Sequence, residues 1–564
     1  MKKTPLVLAA IAAAVAVALA VSCATVHDDD SPLAVPPPAD VVRAAAPFSR
    51  GVNFSAWFEA HSPREIVFST YTEQDFINAK SLGADVIRLP IRMHSMTGGA
   101  PGYILDPLFL RLLDQAVDWA ERHGLHLILD NHSFDPVAAT SPDIYRILIP
   151  VWRQIAERYR DRSELIIYEI LNEPHGIAAD LWADIQGQAV QAIREIDPYR
   201  WIIVGGVDFN SIDRLFDLPT YPFDNIIYTF HFYDPYLFTH QGETWGPSPN
   251  LTNLRDLPFP GNRRPLPRMP PDLRGTWVES SVQNVYRRDA TVGALARQLD
   301  RAVQFSRERG DVPIFNGEFG VFIPNSRPDD RLRWYDVVVR MMADRNIPWT
   351  SWDYFGGFGV FRTMDARCFH SELNVELLEA MGFTPPPQRP PERIREAFAL
   401  FDNFPNAHLA QFWRWSSEID MFHPNGERFA LAWSDADRYG GFTFYFRREV
   451  DWEYLAARGY AITIRAKSER PASFHVRLVN REGDRSIPWR LAATADFAGD
   501  GEWRELRIPL SSMEERGAWA SATETWHPPQ GQFSWDNVDR LLFAAEDHDL
   551  RGVTVIFDKI AVEL

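Results

Sequence analysis

Cysteine is almost absent from this sequence. With only Cys23 and Cys368 in 564 residues, no disulfide framework can hold the fold. Positive charge is also short, 58 Lys and Arg against 76 Asp and Glu, for a formal net charge of −18. Nucleic-acid phosphates would be repelled, and no basic run interleaved with aromatics offers a local exception, so nucleic acid is excluded as a partner while neutral polymers remain allowed. Internal repeats are lacking. The one long apolar run, Leu6 to Val21, follows Met1-Lys2-Lys3 and has the build of an export signal; being mostly Ala and Val, it would span a bilayer poorly.

Residues 1–23 are therefore expected to be a signal peptide, with two cleavage readings open. Ala18-Leu19-Ala20 suits an ordinary signal peptidase. Ala20-Val21-Ser22-Cys23 resembles a lipobox and is slightly favoured, because lipidation would account for Cys23. The protein is expected to be exported, at a bacterial cell surface, in the periplasm or outside the cell, with membrane contact only through a lipid on Cys23. Residues 24–46, acidic and then Pro-rich, read as a tether.

What the sequence has in excess is apolar and flat. Hydrophobic residues make up 46% and aromatics 13%, with 19 Trp, which is enough to build large cores and leave rings over for binding. The chain is too long for one core, so two or more domains are expected.

The organising stretch is Leu165-Ile166-Ile167-Tyr168-Glu169-Ile170-Leu171-Asn172-Glu173-Pro174. A run that apolar reads as a strand covered on both faces, ending abruptly in an amide and a carboxylate. Seven similar runs begin near residues 51, 86, 125, 201, 226, 313 and 349, alternating with helical patterns. One helix starts at Thr72 with Asp75 three residues on, and another at Asp106-Pro107, ending at Gly124. Regular alternation over residues 47–383 predicts an α/β domain closed as a (β/α)8 barrel, with a doubly wound sheet as the alternative. The long gap before Thr291 carries Trp245 and Trp277, either sugar platforms or a small core of the loop itself. Residues 384–397, with Pro385-Pro386-Pro387, read as a stiff linker. From residue 398 to 564 short alternating runs such as Phe442-Thr443-Phe444-Tyr445-Phe446 predict an all-β sandwich of the jelly-roll kind.

In both candidate α/β folds the carboxyl ends of the strands carry the chemistry, and Arg88, His132, Asn172 with Glu173, His231 with Tyr233, Glu318 and Trp352 each fall at or just past a strand end. Glu318 sits in Asn316-Gly317-Glu318-Phe319-Gly320, whose glycines allow close approach. Two carboxyls facing each other across one mouth suit acetal cleavage, which needs an acid for the leaving oxygen and a carboxylate to meet the developing cation. No metal-ligand cluster is visible in the spacing, and no cofactor is expected because no electrons move.

Ile170-Leu171-Asn172-Glu173-Pro174 together with Gly317-Glu318-Phe319-Gly320 resembles glycoside hydrolase family 5. Val86-Ile87-Arg88-Leu89-Pro90, Asp130-Asn131-His132, His231-Phe232-Tyr233 and Trp352 match further motifs of that family, and the stretch 236–245 is similar to a bacterial group of endo-β-1,4-glucanases. That group often has a second histidine where Asn131 stands and an asparagine where Ala56 stands. The resemblance implies Glu173 as acid/base and Glu318 as nucleophile of a retaining endo-acting hydrolase of β-1,4-glucans, with a β-mannanase as one alternative and a non-catalytic surface glycan binder as another. It further implies Arg88, His132, Asn172, His231, Tyr233 and Trp352 as supporting or substrate-binding residues, with Asn131, Glu59 and Trp245 added to that set. A β-glucan is the expected partner and a monomer the default. Phe401-Asp402-Asn403-Phe404 and the Val555 to Ile560 run resemble family 11 carbohydrate-binding modules. Nine tryptophans between Trp413 and Trp535 exceed what one such core uses.

Overall fold

The computed structural model describes residues 33–133, 138–246, 248–482 and 487–564. The signal segment, Cys23 and the start of the tether lie outside the described residues.

Eight parallel strands close into a barrel in chain order: β1 (Arg50–Asn53), β2 (Val86–Ile91), β3 (His126–Asn131), β4 (Ile166–Glu169), β5 (Ile202–Gly205), β6 (Ile226–Phe232), β7 (Ile314–Phe319) and β8 (Trp349–Ser351), with β1 pairing β8. The doubly wound alternative is thereby excluded. The main helices between them are α1 (Glu73–Leu82), α2 (Pro107–Arg122), α3 (Tyr145–Tyr159), α4 (Ala179–Arg194), α5 (Val292–Glu308) and α6 (Pro328–Asp344). Local chemistry places their ends. The Thr72 N–H donates to the Asp75 carboxylate at 2.7 Å, and the Asp106 side chain accepts from the Leu108 N–H at 2.7 Å with Pro107 beginning the helix. Helix α2 then buries Phe109, Leu112, Leu113, Ala116, Val117 and Ala120, one stripe at helical spacing, against the barrel.

Inside the barrel the strands stack side chains in layers. Val86, Ile128, Ile167, Ile203, Ile227 and Phe315 form one apolar layer, closed at the N-terminal end by Phe48. Because a strand repeats every second residue, the next inward positions on β2, β3 and β4 are Arg88, Asp130 and Glu169, all fully buried. The interior thus changes from hydrocarbon to ions in one step towards the C-terminal mouth. Arg88 is not at a strand end, as its motif suggested: β2 runs on through Pro90 and Ile91, which pair with Asp130 and Asn131.

The remaining chain is a two-sheet sandwich. It comprises β9 (Phe398–Asp402), β10 (Phe404–Pro405), β11 (Ala410–Trp415), β12 (Glu418–Asn425), β13 (Arg428–Ala436), β14 (Gly441–Phe446), β15 (Ala461–Ser468), β16 (Ala472–Asn480), β17 (Arg490–Phe497), β18 (Arg504–Pro509), β19 (Glu514–Arg516), the hairpin β20 (Ala518–Ala520) and β21 (Thr525–His527), β22 (Val538–Ala544) and β23 (Leu550–Glu563). One sheet is built on β23; the other has the order β11-β14-β22-β16-β17-β19. Their facing sides share a core of their own that includes Phe442, Phe474, Phe543 and Phe557. Phe422 and Phe429 break that division, since both belong to the core of the barrel. Arg111 lies 4.1 Å from the Phe429 ring centre, Phe68 packs on Phe404 at 4.9 Å, and Arg64 pairs with Asp420 at 2.8 Å. The Pro-rich stretch is fastened at both ends, with the Thr384 N–H on the Leu82 carbonyl and Ile394 bridged to Val450.

Candidate active site

At the C-terminal mouth, one guanidinium organises everything around it. Arg88 Nε and Nη2 grip Glu169 as a fork, at 2.8 and 2.9 Å. Its Nη1 donates to Asn53 Oδ1 at 3.0 Å and Glu318 Oε1 at 2.8 Å, and Nη2 also donates to Asn172 Oδ1 at 2.8 Å and lies 3.0 Å from Asp130. A fully buried cation with every donor engaged has one permitted orientation, so the carboxylate it touches on its open side, Glu318, is held with it. The Tyr233 hydroxyl donates to the other oxygen of Glu318 at 3.0 Å. Gly317 is required beside it: a Cβ there would come within 2.9 Å of Thr229 Oγ1 and 3.1 Å of His231 Nε2.

Glu173 comes from the loop beyond β4. That loop is fastened by the Asn172 N–H on the Asn131 carbonyl at 3.1 Å and by Asn210, whose amide donates to the Asn172 carbonyl. Glu173 Oε1 lies 2.6 Å from His231 Nδ1. Burial pushes the Glu173 carboxyl up to about 7, against the pull of His132 and Arg88. Burial likewise lowers His231 to about 4, outweighing the nearby Glu318, so the imidazole beside Glu173 is neutral. Two glutamates in one mouth thus have opposite surroundings: Glu318 touches a cation and a phenol, Glu173 a neutral ring and a poorly solvated pocket. One oxygen of each, together with a nitrogen of His231, lies within 4.8 Å of the others. Residues so far apart in sequence leave no spacing signal, which is why this grouping was not visible in the chain. Arg88 already supplies the positive charge at Glu318.

The other predicted residues divide by what they touch. His132 donates towards Asp130 at 2.8 Å and lies face to face with Trp352, ring centres 5.6 Å apart and 16° from parallel. Burial disfavours its charged form, yet Asp130 overrides this and raises it to about 9. Glu59 reaches within 3.9 Å of His132. Asn131 does not face the mouth: it is buried, donating to the Ile170 carbonyl at 3.3 Å and accepting from Ser133. Trp245 is 47% exposed, edge-on to Phe322 at 5.0 Å and to His240 at 6.4 Å, and His240 in turn lies 4.9 Å from Tyr233. Trp277 instead opens a separate helix, Trp277–Asn284. Sequence reasoning missed Glu169, Asp130 as an ion partner, Asn53 and Asn210. The available signal for Glu169 was a charge at an inward position of an otherwise apolar strand.

A model of the cellulase family, glycosyl hydrolase family 5, matches residues 47–356, which takes in every one of these groups. The chain belongs to that family. It is a glycoside hydrolase. Among relatives, this family 5 hydrolase is 27% identical over 318 residues to Endoglucanase C of Acetivibrio thermocellus, covering 54% of this chain and 91% of that one. It is also 27% identical over 336 residues to Endoglucanase 3 of Fibrobacter succinogenes, covering 55% and 50%. Among solved structures, endoglucanase Cel5A from Thermotoga maritima matches with a TM-score of 0.49 and 27% identity, over 59% of this chain and 96% of that one. The family model ends at residue 356, before the sandwich begins.

Proposed function

We propose that the protein is a retaining endo-β-1,4-glucanase. The observation that carries this is the closeness of two carboxyls with opposite surroundings, one oxygen of each lying within 4.8 Å of the other; such closeness suits retaining enzymes, whose carboxyls sit roughly 5–5.5 Å apart and leave no room for an attacking water between them. Glu173, raised to about 7, holds a proton near neutrality and gives it to the departing glycosidic oxygen. Glu318, fixed by Arg88 and Tyr233, attacks the anomeric carbon and forms a glycosyl-enzyme. Glu173, now ionised, takes a proton from the water that releases it. Asn172 is positioned to meet the sugar 2-hydroxyl, and Trp352 offers a flat face to a pyranose. That its relatives are named endoglucanases supports glucan over other backbones.

Reducing-sugar release from carboxymethylcellulose, barley β-glucan, xyloglucan, glucomannan and mannan tests the substrate class, and proton NMR in the first minutes tests the stereochemistry. The β-anomer is expected first. The α-anomer appearing first would overturn the retaining mechanism, preference for mannan the glucanase assignment, and no release from any polymer would favour a surface glycan binder.

We infer also that the sandwich binds glycan on the outer face of its six-stranded sheet. Strand pairing puts Trp413, Thr443, Leu542 and Arg477 in one row, and Gln411, Tyr445, Arg540 and Val479 in the next. Trp413 and Tyr445 are exposed, at 60% and 38%, and Arg540 lies over the Tyr445 ring at 5.3 Å. Flat rings flanked by fixed hydrogen-bonding groups suit a sugar chain. Of the nine tryptophans, Trp433 and Trp452 are core, while Trp519 and Trp526 are half exposed like Trp413.

A further inference from the structure

The joint between barrel and sandwich encloses a groove of about 800 Å³, within the usual range of ligand sites. The barrel lines one side with residues 64–67 of the loop after β1; the sandwich lines the other with residues 412–416 and 419–421, from edge strand β11 and the start of β12. We propose that this groove is a distal binding site for the glucan chain whose cleavage is proposed above, an inference that rests on that functional reading.

Four observations identify the occupant. Trp413 stands 60% exposed on the outermost strand of its sheet, and Val67 across the groove is 48% exposed, so each keeps apolar surface in water unless something lies against it. The polar groups at the lip are of both signs, Arg64 with Asp420 at 2.8 Å and Arg414 with Glu418 at 3.8 Å, so no net field selects an ion. A neutral chain with apolar ring faces and hydroxyl edges meets both kinds of surface at once; an anionic polymer would face the overall −18 charge. Continuity supplies the direction. The loop that carries residues 64–67 also carries Glu59, 3.9 Å from His132 at the reaction centre. A polymer leaving the mouth along that loop is guided to the joint, and the shared core residues Phe422 and Phe429 hold the two walls together.

A site at this remove adds affinity only for ligands long enough to reach it, by raising the effective concentration of the chain at the mouth. The test uses the full-length protein with two substrates, barley β-glucan and an aryl β-cellobioside too short to leave the mouth. Trp415→Ala, which removes a ring that lines the groove, is expected to lower kcat/KM on the polymer about three- to tenfold, through KM, and to leave the cellobioside unchanged. Val67→Lys, which places a long side chain in the groove without altering the sandwich, is expected to do the same. Unchanged polymer kinetics in both variants would overturn the distal site. Equal losses on both substrates would also overturn it, since the joint would then act through the shape of the catalytic loop. A wild-type protein that cleaves neither substrate would remove the functional reading itself, and this inference with it.

Discussion

The barrel and the sandwich spend their polar residues in opposite ways. In the barrel, ions are buried at one level, stacked on an apolar layer, and each is paired: Arg88 alone serves Glu169, Asp130, Glu318, Asn53 and Asn172. In the sandwich, aromatic rings stand exposed on a sheet face and at its edge, beside charges that run from the solvated Arg414–Glu418 pair to the largely buried Arg540. A buried, fully engaged network fixes geometry to a fraction of an ångström, as bond cleavage demands. Exposed rings tolerate many registers of one ligand, which suits holding a polymer while it slides. Substitutions should therefore have large, chemistry-specific effects in the first region and small, length-dependent effects in the second.

The largest expected effect is at Glu318. Glu318→Ala should lower kcat on every substrate by roughly 10⁴-fold or more, since no other group can attack the anomeric carbon. Glu173→Ala should be comparably damaging on polymers yet spare aryl glycosides with good leaving groups, and added azide should restore turnover with a β-glycosyl azide as product. Rescue of Glu318→Ala to the β-azide instead would reverse the two roles.

Next is Glu169, which touches no substrate. Glu169→Ala removes the fork that grips Arg88 and leaves a buried cation underpaired, a change that costs about 3–5 kcal/mol. Thermal unfolding should show a drop of several degrees, and kcat should fall with KM little changed. Glu169→Gln, which keeps the shape and one acceptor, should recover part of both. A Glu169→Ala protein with wild-type kcat would show that Arg88 holds its place without the fork.

Legibility followed the same division. The ends of β4 and β7 could be read because a parallel strand buried on both faces leaves little reason for Asn172-Glu173 or Gly317-Glu318 except a mouth. The closure of the barrel followed from counting strands. Glu169 and Asp130 were not read as functional because they lie inside strands, where a charge is visible but its partner, Arg88, is 81 residues from Glu169 and shows no periodic relation to it. Asn131 supports the site through its backbone, its carbonyl accepting the Asn172 N–H, while its side chain bends back onto the Ile170 carbonyl. The joint was illegible altogether: nothing in the pattern of Phe422 or Phe429 distinguishes a ring bound for its own sandwich from one bound for the barrel core.

A pH experiment sharpens the contrast within the mouth. Between its ordinary value near 4.5 and about 7, the native Glu173 carboxyl binds a proton that the unfolded chain has lost, so this group favours the folded state at low pH and opposes it increasingly as pH rises through that window. Activity on polymers should fall tenfold per unit above about pH 7, while His231, held near 4, and His132, near 9, contribute no limb there. An aryl glycoside with a good leaving group should show a flatter profile. Glu173→Gln should raise the melting temperature at pH 8 and leave it unchanged at pH 4; no gain at pH 8 would place the raised proton affinity elsewhere.

The smallest expected effect is on the sheet face, and it asks whether the sandwich holds glycan at all. Isolating residues 398–564 would bare Phe422 and Phe429, which the barrel normally covers, so binding is better measured in the whole protein with the chemistry switched off by Glu318→Gln. Affinity electrophoresis through soluble β-glucan then reads the summed hold of mouth, joint and face. Tyr445 is exposed and contributes a ring but no core packing, so Tyr445→Ala should leave stability unchanged within about 0.5 kcal/mol. It should weaken retardation only two- to fivefold, because the rings around it share the ligand. Combining it with Trp413→Ala, in the neighbouring row, should lose more than either change alone if one chain crosses both rings. Retardation unaffected by the double substitution would leave the sandwich a structural cover for the loop after β1, and polymer affinity a property of the barrel alone.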